Sequence, residues 1–256
     1  MSVVKYGDNV LVYIDEKRRF LIKVKSGGIL GTDKGFIKHD ELVGKTYGDS
    51  IKTSQGFKAY IYKPLLIDYQ YVITRKTQII YPKDAAFMIY LSGLKPGAKV
   101  LEAGVGSGFL TISLANFVGD TGKIYGFDIN PKHLQVAREN LEKIGLLDRV
   151  VLNEGDVRKG VELSDLDAVF YDLPDPWNAL ETAYKILKPS HPIIVYVPTV
   201  NQVEKTVIAM RKNKLFEDIH VYEILLREYD VEEGATRPKT TMIGHTGYIV
   251  FGRRSK

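Results

Sequence analysis

The chain contains no cysteine. Disulfides, thiolate metal sites and cysteine nucleophiles are therefore excluded, and the composition suits a reducing compartment. Long hydrophobic runs are missing too. The longest uncharged apolar stretches, such as residues 192–203, fall well short of the ~20 residues a membrane helix needs. The N-terminus lacks the basic-then-apolar layout of a secretory signal, because Lys5, Asp8 and Asp15 interrupt it. There is no internal repeat or low-complexity segment, and the five histidines at 39, 133, 191, 220 and 245 lack metal-ligand spacing. At 45% hydrophobic and 26% charged residues, the composition is that of a globular chain and excludes a disordered or collagen-like one. A soluble, cytoplasmic protein with no membrane segment and no metal is the expectation.

Charge is distributed unevenly. Residues 1–80 hold 14 Lys/Arg against 8 Asp/Glu, whereas residues 81–256 hold 22 against 23. The positive excess lies wholly in the first third, which makes that third a candidate for holding a polyanion. Lys17, Arg18, Arg19, Lys23 and Lys25 cluster around one turn there. The pattern also changes near residue 70. Before it, short runs rich in Val, Ile, Tyr and Phe (10–14, 20–24, 51–53, 59–62 and 69–73) alternate with glycine-containing turns, and no helix of ten residues fits. Residues 1–70 are expected to form a small all-β domain, a partial barrel.

From 71 to 256 the periodicity switches between strand and helix. Helices are predicted at 82–91, with Pro82 in the first turn, at 109–117, and at 131–144, capped by Asn130 with Pro131 first. Two more fit 177–187 and 200–214. Strand-length apolar runs fall at 100–103, 123–127, 150–153, 168–171 and 193–197, and two late β-like runs at 219–227 and 246–252. This alternation predicts an α/β domain with a mostly parallel sheet, helices on both faces, and one antiparallel strand at the far edge.

The sharpest local signal is Glu102-Ala103-Gly104-Val105-Gly106-Ser107-Gly108. It sits at the first strand-to-helix turn, where open parallel sheets place ligands. Alternate glycines let the backbone turn tightly and let a ligand lie against it. The dinucleotide fingerprint G-x-G-x-x-G would need glycine at 109, where this chain has Phe, and Glu102 beside the loop suits a cationic ligand better than a pyrophosphate. The pattern resembles motif I of the class I S-adenosylmethionine-dependent methyltransferases. Asp128 closes the next strand, where an acid accepts from ribose hydroxyls. Asp156 follows the third strand, where a carboxylate accepts from the exocyclic amine of adenine. Each acid alone also reads as a solvated strand-end carboxylate; the three in succession after the glycine loop favour the ligand.

After the fourth strand comes Tyr171-Asp172-Leu173-Pro174-Asp175-Pro176-Trp177. Two prolines stiffen the loop, so Asp172 projects from a rigid support. The loop resembles the Asp-Pro-Pro-Tyr type of methyltransferases acting on nitrogen in planar systems; the alternative is a proline-rich turn with a capping Asp. Together with Gln78-Ile79-Ile80-Tyr81-Pro82-Lys83-Asp84 and Gly244-His245-Thr246-Gly247-Tyr248, these segments make the chain similar to the tRNA (adenine-N1)-methyltransferases of the T-loop. The resemblance spans the whole chain. It implies a Rossmann-like class I methyltransferase domain over 71–256, a small all-β domain over 1–70 as a candidate tRNA-binding part, S-adenosylmethionine as cofactor, tRNA as partner and a homotetramer. The acceptor would be N1 of adenine 58 and, in archaea, often of adenine 57 as well.

Residue by residue, the resemblance implies cofactor contacts at Gln78, Glu102, Gly104, Val105, Gly106, Ser107, Gly108, Asp128, His133, Asp156 and Val157. Asp172 becomes the catalytic acid, and Tyr81, Trp177, Arg227 and His245 the substrate-side residues. Tyr81 and Trp177 read equally well as core aromatics, and His245 as a satisfied core histidine. Arg227-Glu228-Tyr229-Asp230-Val231 is similar to the family's Arg-x-Trp-x-Val, with Tyr in place of Trp. Three rivals are weaker. An L-isoaspartyl protein methyltransferase would bring an anionic acceptor against Asp172. A non-catalytic RNA-binding subunit would be expected to have lost the glycine loop or the acid. A Rossmann oxidoreductase would need different glycine spacing.

Overall fold

The computed structural model describes residues 2–71 and 73–256, and the chain divides into two compact units, Met1–Thr74 and Arg75–Lys256. In the first unit, strands β1 (Asn9–Asp15), β2 (Arg18–Lys23), β5 (Ser50–Lys52) and β6 (Lys58–Tyr62) form an antiparallel sheet ordered β2-β1-β6-β5. Period-two alternation decides its faces. Val10 and Val12 of β1 and Ala59 and Ile61 of β6 turn inward onto Val4, Val24, Ile37 and Leu42. Their alternates Tyr13, Tyr60 and Tyr62 point the other way. The strands β3 (Ile29–Thr32) and β4 (Gly35–Lys38) make a separate hairpin, closed at Asp33-Lys34, so the unit has two sheets rather than one curved barrel wall.

Of the run read over 69–73, residues 69–71 are not strand. Residues Leu66–Tyr71 form a 3-10 helix, and residue 72 lies outside the described residues. The cause is local: the Asp68 carboxylate accepts from the Leu65 amide at 2.7 Å and curls the chain before β pairing can compete.

The second unit holds a seven-stranded sheet. In chain order its elements are α1 (Pro82–Ser92), β7 (Lys99–Ala103), α2 (Phe109–Val118), β8 (Lys123–Asp128), α3 (Pro131–Ile144), β9 (Val150–Glu154), β10 (Ala168–Tyr171), α4 (Leu180–Ile186), β11 (Pro192–Val197), α5 (Val200–Asn213) and β12 (Phe216–Tyr222). They are followed by the short β13 (Tyr229–Asp230) and β14 (Arg237–Pro238), and by β15 (Tyr248–Arg254). Strand order is β12-β15-β11-β10-β7-β8-β9, with β7 to β11 parallel and β15 antiparallel to both its neighbours. Leu101, Val169, Tyr171, Ile193 and Val195 face α4 and α5 through Ala183, Ile186 and Met210. Their alternates Val100, Phe170 and Ile194 are equally buried on the other side, so both faces are covered. Each such aliphatic or aromatic side chain contributes roughly 1.5–3 kcal/mol of burial.

Two boundaries differ from the sequence pattern. The segment read as one helix over 177–187 is a 3-10 turn (Pro176–Asn178) followed by α4. Asn178 turns back to the Asp175 carboxylate (2.9 Å), and the buried Tyr171 hydroxyl donates to the Ala179 carbonyl (3.1 Å), which fixes the break. Of the run read over 219–227 only residues 219–222 are strand; they belong to β12, which ends at Tyr222 opposite Ile249, one residue from where its antiparallel partner β15 begins. Among the described residues no helix is long and apolar enough to cross a membrane.

Candidate active site

The parallel strands deliver their C-terminal ends to one edge, and a cavity of about 310 Å³ opens there. Its floor is the glycine turn after β7. Gly104 has φ +88°, and a Cβ on it would lie 2.0 Å from the Asp172 carbonyl oxygen. That closeness is maintained by the Asp172 amide, which donates to the Ala103 carbonyl at 2.9 Å. Only glycine lets the two strand ends meet this tightly. Gly106 (φ +53°) is pressed against Thr77, and Gly108 (φ +82°) against Ala137 of α3. The hydroxyls of Thr77 and Ser107 lie 3.0 Å apart, and the Ser107 amide donates to Thr77 Oγ1 at 3.1 Å. The segment before α1 is thereby docked on the loop, which brings Gln78 to the cavity wall.

Five acids stand in a wall that is otherwise largely apolar: Glu102, Asp128, Asp156, Asp172 and Asp175. Asp128, at the end of β8, accepts from the Gly106 amide and the Asn130 amide, both at 2.9 Å, and lies 3.3 Å from His133 Nδ1. It ties the glycine turn to the start of α3, while Oδ1, which accepts from the Asn130 amide, keeps a second lone pair for a ligand. Glu102 is 2% exposed, and its Oε2 has no hydrogen-bond partner among the described residues. Burial, with the charges of Asp172 and Asp128 added, pushes its carboxyl up to about 8. Asp172 is likewise pushed up to about 7, by burial first and Asp128 second. Asp156 and Val157, at the turn after β9, complete this side of the cavity.

The sequence-predicted residues divide into two groups. Gln78, Glu102, Gly104, Val105, Gly106, Ser107, Asp128, His133, Asp156, Val157 and Asp172 all line the cavity, and Gly108 supports the turn from behind. Tyr81, Trp177, Arg227 and His245 are not part of its lining. Tyr81 caps the start of α1. Trp177 carries Lys205 of α5 over its ring, 5.1 Å from the centroid, because the 3-10 turn rotates it that way. Arg227 is exposed on the excursion between β12 and β15. His245 is exposed as well, contrary to the core-histidine alternative. Its two ring nitrogens lie 2.7 Å from a Glu223 oxygen and 2.9 Å from the Pro198 carbonyl, and these acceptors raise its pKa.

Sequence reasoning missed Arg158. Its guanidinium donates to both Asp156 oxygens (2.8 and 2.9 Å) and both Asp175 oxygens (3.0 and 2.8 Å), bridging the turn after β9 to the loop after β10. Its partners Asp156 and Asp175 follow β9 and β10, which β7 and β8 separate in the sheet, so no local sequence signal points to the bridge. Behind the site, fully buried Asp84 is satisfied by Lys83 (2.8 Å) and Thr246 (2.7 Å), and Lys83 also donates to the Ile224 carbonyl at 2.6 Å. This network explains why Lys83-Asp84 and Gly244-His245-Thr246-Gly247 belong together in the fold.

The arrangement fits a cation-bearing ligand. An unpartnered buried carboxylate oxygen and two further acids around one cavity would be mutually repelling with an anion added, whereas a positive group relieves both burial and repulsion. A ribose can be held by Asp128, and an adenine amine by Asp156. Among the described residues no group of His, Asp or Glu could hold a metal.

Comparison with known proteins accords with this geometry. Residues 59–237 match the family described as tRNA methyltransferase complex GCD14 subunit, and residues 3–51 match the TrmI-like N-terminal family. The chain belongs to the GCD14/TrmI family of tRNA methyltransferases. It is 37% identical to the tRNA (adenine(57)-N(1)/adenine(58)-N(1))-methyltransferase TrmI of Methanocaldococcus jannaschii, over 94% of this chain and 93% of that one. Among solved structures, the tRNA (m1A58) methyltransferase TrmI of Aquifex aeolicus superposes with a TM-score of 0.83 at 33% identity, covering all of both chains. A Thermotoga maritima protein described as an S-adenosylmethionine-dependent O-methyltransferase gives 0.90 at 35% identity, covering 99% of this chain and 95% of that one. The family fold is thus a class I methyltransferase with a small N-terminal all-β part.

Proposed function

We propose that this protein transfers a methyl group from S-adenosylmethionine to N1 of adenine 58 in the T-loop of tRNA, with adenine 57 as a second acceptor. The observation that carries the reading is Asp172: a half-buried carboxylate at the C-terminal end of β10, facing the same cavity as the glycine turn, with its carboxyl pushed up to about 7. S-adenosylmethionine, when bound, supplies an electrophilic methyl on a positively charged sulfur. The glycine turn and Gln78 would hold its amino-acid end, with Glu102 beneath them, Asp128 and His133 its ribose, and Asp156 with Val157 its adenine.

The acceptor chemistry needs no strong base, since N1 of neutral adenine already has a lone pair. Asp172 accepts from the N6 amine of the target base. That hydrogen bond orients N1 toward the methyl, and it strengthens as the ring becomes cationic and N6–H more acidic. The same acid opposes an anionic oxygen acceptor, which favours nitrogen even though a similar solved protein is described as acting on oxygen. To reach the cavity the base must leave its stack. Tyr81, Trp177, Arg227 and His245 then act at the substrate approach rather than inside the cofactor cavity.

A homotetramer is the assembly we propose. The excursion between β12 and β15 exposes Leu225, Leu226, Tyr229, Val231, Met242 and Ile243, an apolar concentration that a monomer does not ordinarily leave in water. The first unit, with its positive excess, is the proposed tRNA grip, and a tRNA substrate fits a cytoplasmic home. The functional test is transfer of labelled methyl into unmodified tRNA transcripts. Replacing adenine 58 by guanine should remove most incorporation, and replacing adenine 57 as well should remove the remainder. Undiminished transfer to the doubly substituted transcript would refute the assignment.

A further inference from the structure

Cross-strand partners in an antiparallel sheet point to the same face. In the first unit Tyr13 is paired with Arg19 and with Tyr60, and Ser50 with Tyr60 on the far side. These residues therefore share the face opposite the Val10, Val12, Ala59 and Ile61 core. Three tyrosines make a continuous row on it. Tyr60 and Tyr62 are stacked, with centroids 5.7 Å apart and planes 4° from parallel, and Tyr13 lies 5.9 Å from Tyr62. Tyr62 is 37% exposed. Cations border the row on both sides: Arg19 lies over Tyr13 (5.3 Å to the centroid) and Lys58 over Tyr60 (4.6 Å). Lys23 and Lys52, opposite Asn9 and Lys58, extend the charge along the same face. The acid of these four strands, Asp15, sits at the end of β1 and is held by Arg18, which also binds Asp33. Arg18 is thus neutralised within the protein, unlike exposed Arg19 and Lys23.

We infer that this tyrosine row with its flanking cations is a stacking platform for unpaired bases of RNA. These rings, half-buried at Tyr13 and Tyr60 and exposed at Tyr62, give the small core nothing, since they face away from it. Bases stack on such rings with little regard to sequence, and the adjacent Arg and Lys meet the phosphates between them. A protein partner would more often meet an apolar surface with a mixed-charge rim, whereas here Arg19, Lys23, Lys52 and Lys58 outnumber the nearby acids Asp15 and Glu41 and are complementary to a nucleic acid backbone. The inference rests on the tRNA reading above and specifies which face of the first unit takes the RNA.

The test uses the full-length protein, fluorescence anisotropy, and two probes: a labelled single-stranded oligouridylate and unmodified tRNA. Tyr62→Ala should weaken oligouridylate binding about ten-fold, the effect of losing one stacked base. Tyr62→Phe should restore it, because the ring and not the hydroxyl is required. Lys52→Gln with Lys58→Gln should lower affinity and flatten its salt dependence. Calorimetric binding of S-adenosylhomocysteine should be unchanged in every variant, which reports that the second unit is intact. Wild-type affinity of Tyr62→Ala for both probes would overturn the proposal. So would a changed sedimentation mass with RNA affinity unaltered, since the face would then be a contact between protein chains. Failure of the methylation reading would show separately, as wild-type protein that binds oligouridylate but places no methyl on adenine 57 or 58.

Discussion

Glu102 and Asp172 are acids that the fold holds against their own ionisation. An acid whose pKa rises on folding binds more protons in the folded than in the unfolded state, so its stabilising contribution is present at low pH and is lost as pH rises through the shifted window. For Glu102 that window runs from about 4.5 to about 8, and for Asp172 from about 3.8 to about 7. The ligand-free protein should therefore melt at progressively lower temperature as pH rises from 5 to 8. Glu102→Gln should flatten that decline and raise the melting temperature at pH 8, by about 2–4 °C for each kcal/mol recovered. A variant that melts below wild type at pH 8 would show that Glu102 is stabilising as an anion. The same acids predict that S-adenosylmethionine binding near pH 7 releases protons, as a cation lowers their pKa values. Calorimetry in buffers of different ionisation enthalpy should detect the release, and S-adenosylhomocysteine, with neutral sulfur, should release fewer protons.

At the level of elements, the cavity is a product of close approach. A Gly104→Ala variant would force a methyl into the Asp172 carbonyl at a positive φ. It should lose about 1–3 kcal/mol of stability in urea unfolding and at least ten-fold in cofactor affinity, because β7 and β10 must part. Unchanged cofactor binding would mean that the strand ends can separate without consequence. Arg158→Ala should release the loop after β10 from the turn after β9, raising KM for S-adenosylmethionine and lowering kcat together; a change in neither would make the bridge incidental. Much of this was legible in sequence. The alternation of strands and helices, the Asn130 cap, the glycine turn and the succession of acids are local signals, written within a few residues of where they act. The position of β15 between β11 and β12 is a long-range pairing with no local signature. The 3-10 helix Leu66–Tyr71 and the break before α4 depended on a few hydrogen bonds, from Leu65 to Asp68, from Asn178 to Asp175 and from Tyr171 to Ala179, that outweighed β and helix propensity. Arg158 escaped notice because its partners Asp156 and Asp175 become neighbours only in the folded sheet. Trp177 was aromatic and near the motif, yet the turn carries it to Lys205 instead of the cavity.

For the molecule as a whole, the positive charge and the proposed active site are separated along the chain. The excess of Lys and Arg lies in residues 1–80, and the acids around the cavity lie in the second unit. Affinity for tRNA should accordingly fall steeply with salt, as phosphate contacts release counterions, while cofactor binding changes little. Its sedimentation mass should be that of a tetramer and insensitive to reductant, as no cysteine is present; a monomer at micromolar concentration would contradict the proposed assembly. The central claim is that Asp172 acts on the target adenine. It is tested most directly by single-turnover methylation of an unmodified tRNA by wild type and Asp172→Asn, with the modified nucleotide mapped by mass spectrometry. Wild type should place the methyl on N1 of adenine 58 and, to a lesser extent, of adenine 57, and Asp172→Asn should bind tRNA normally but react ~100-fold or more slowly. A methyl group on another atom, or an Asp172→Asn rate within a few-fold of wild type, would contradict the account.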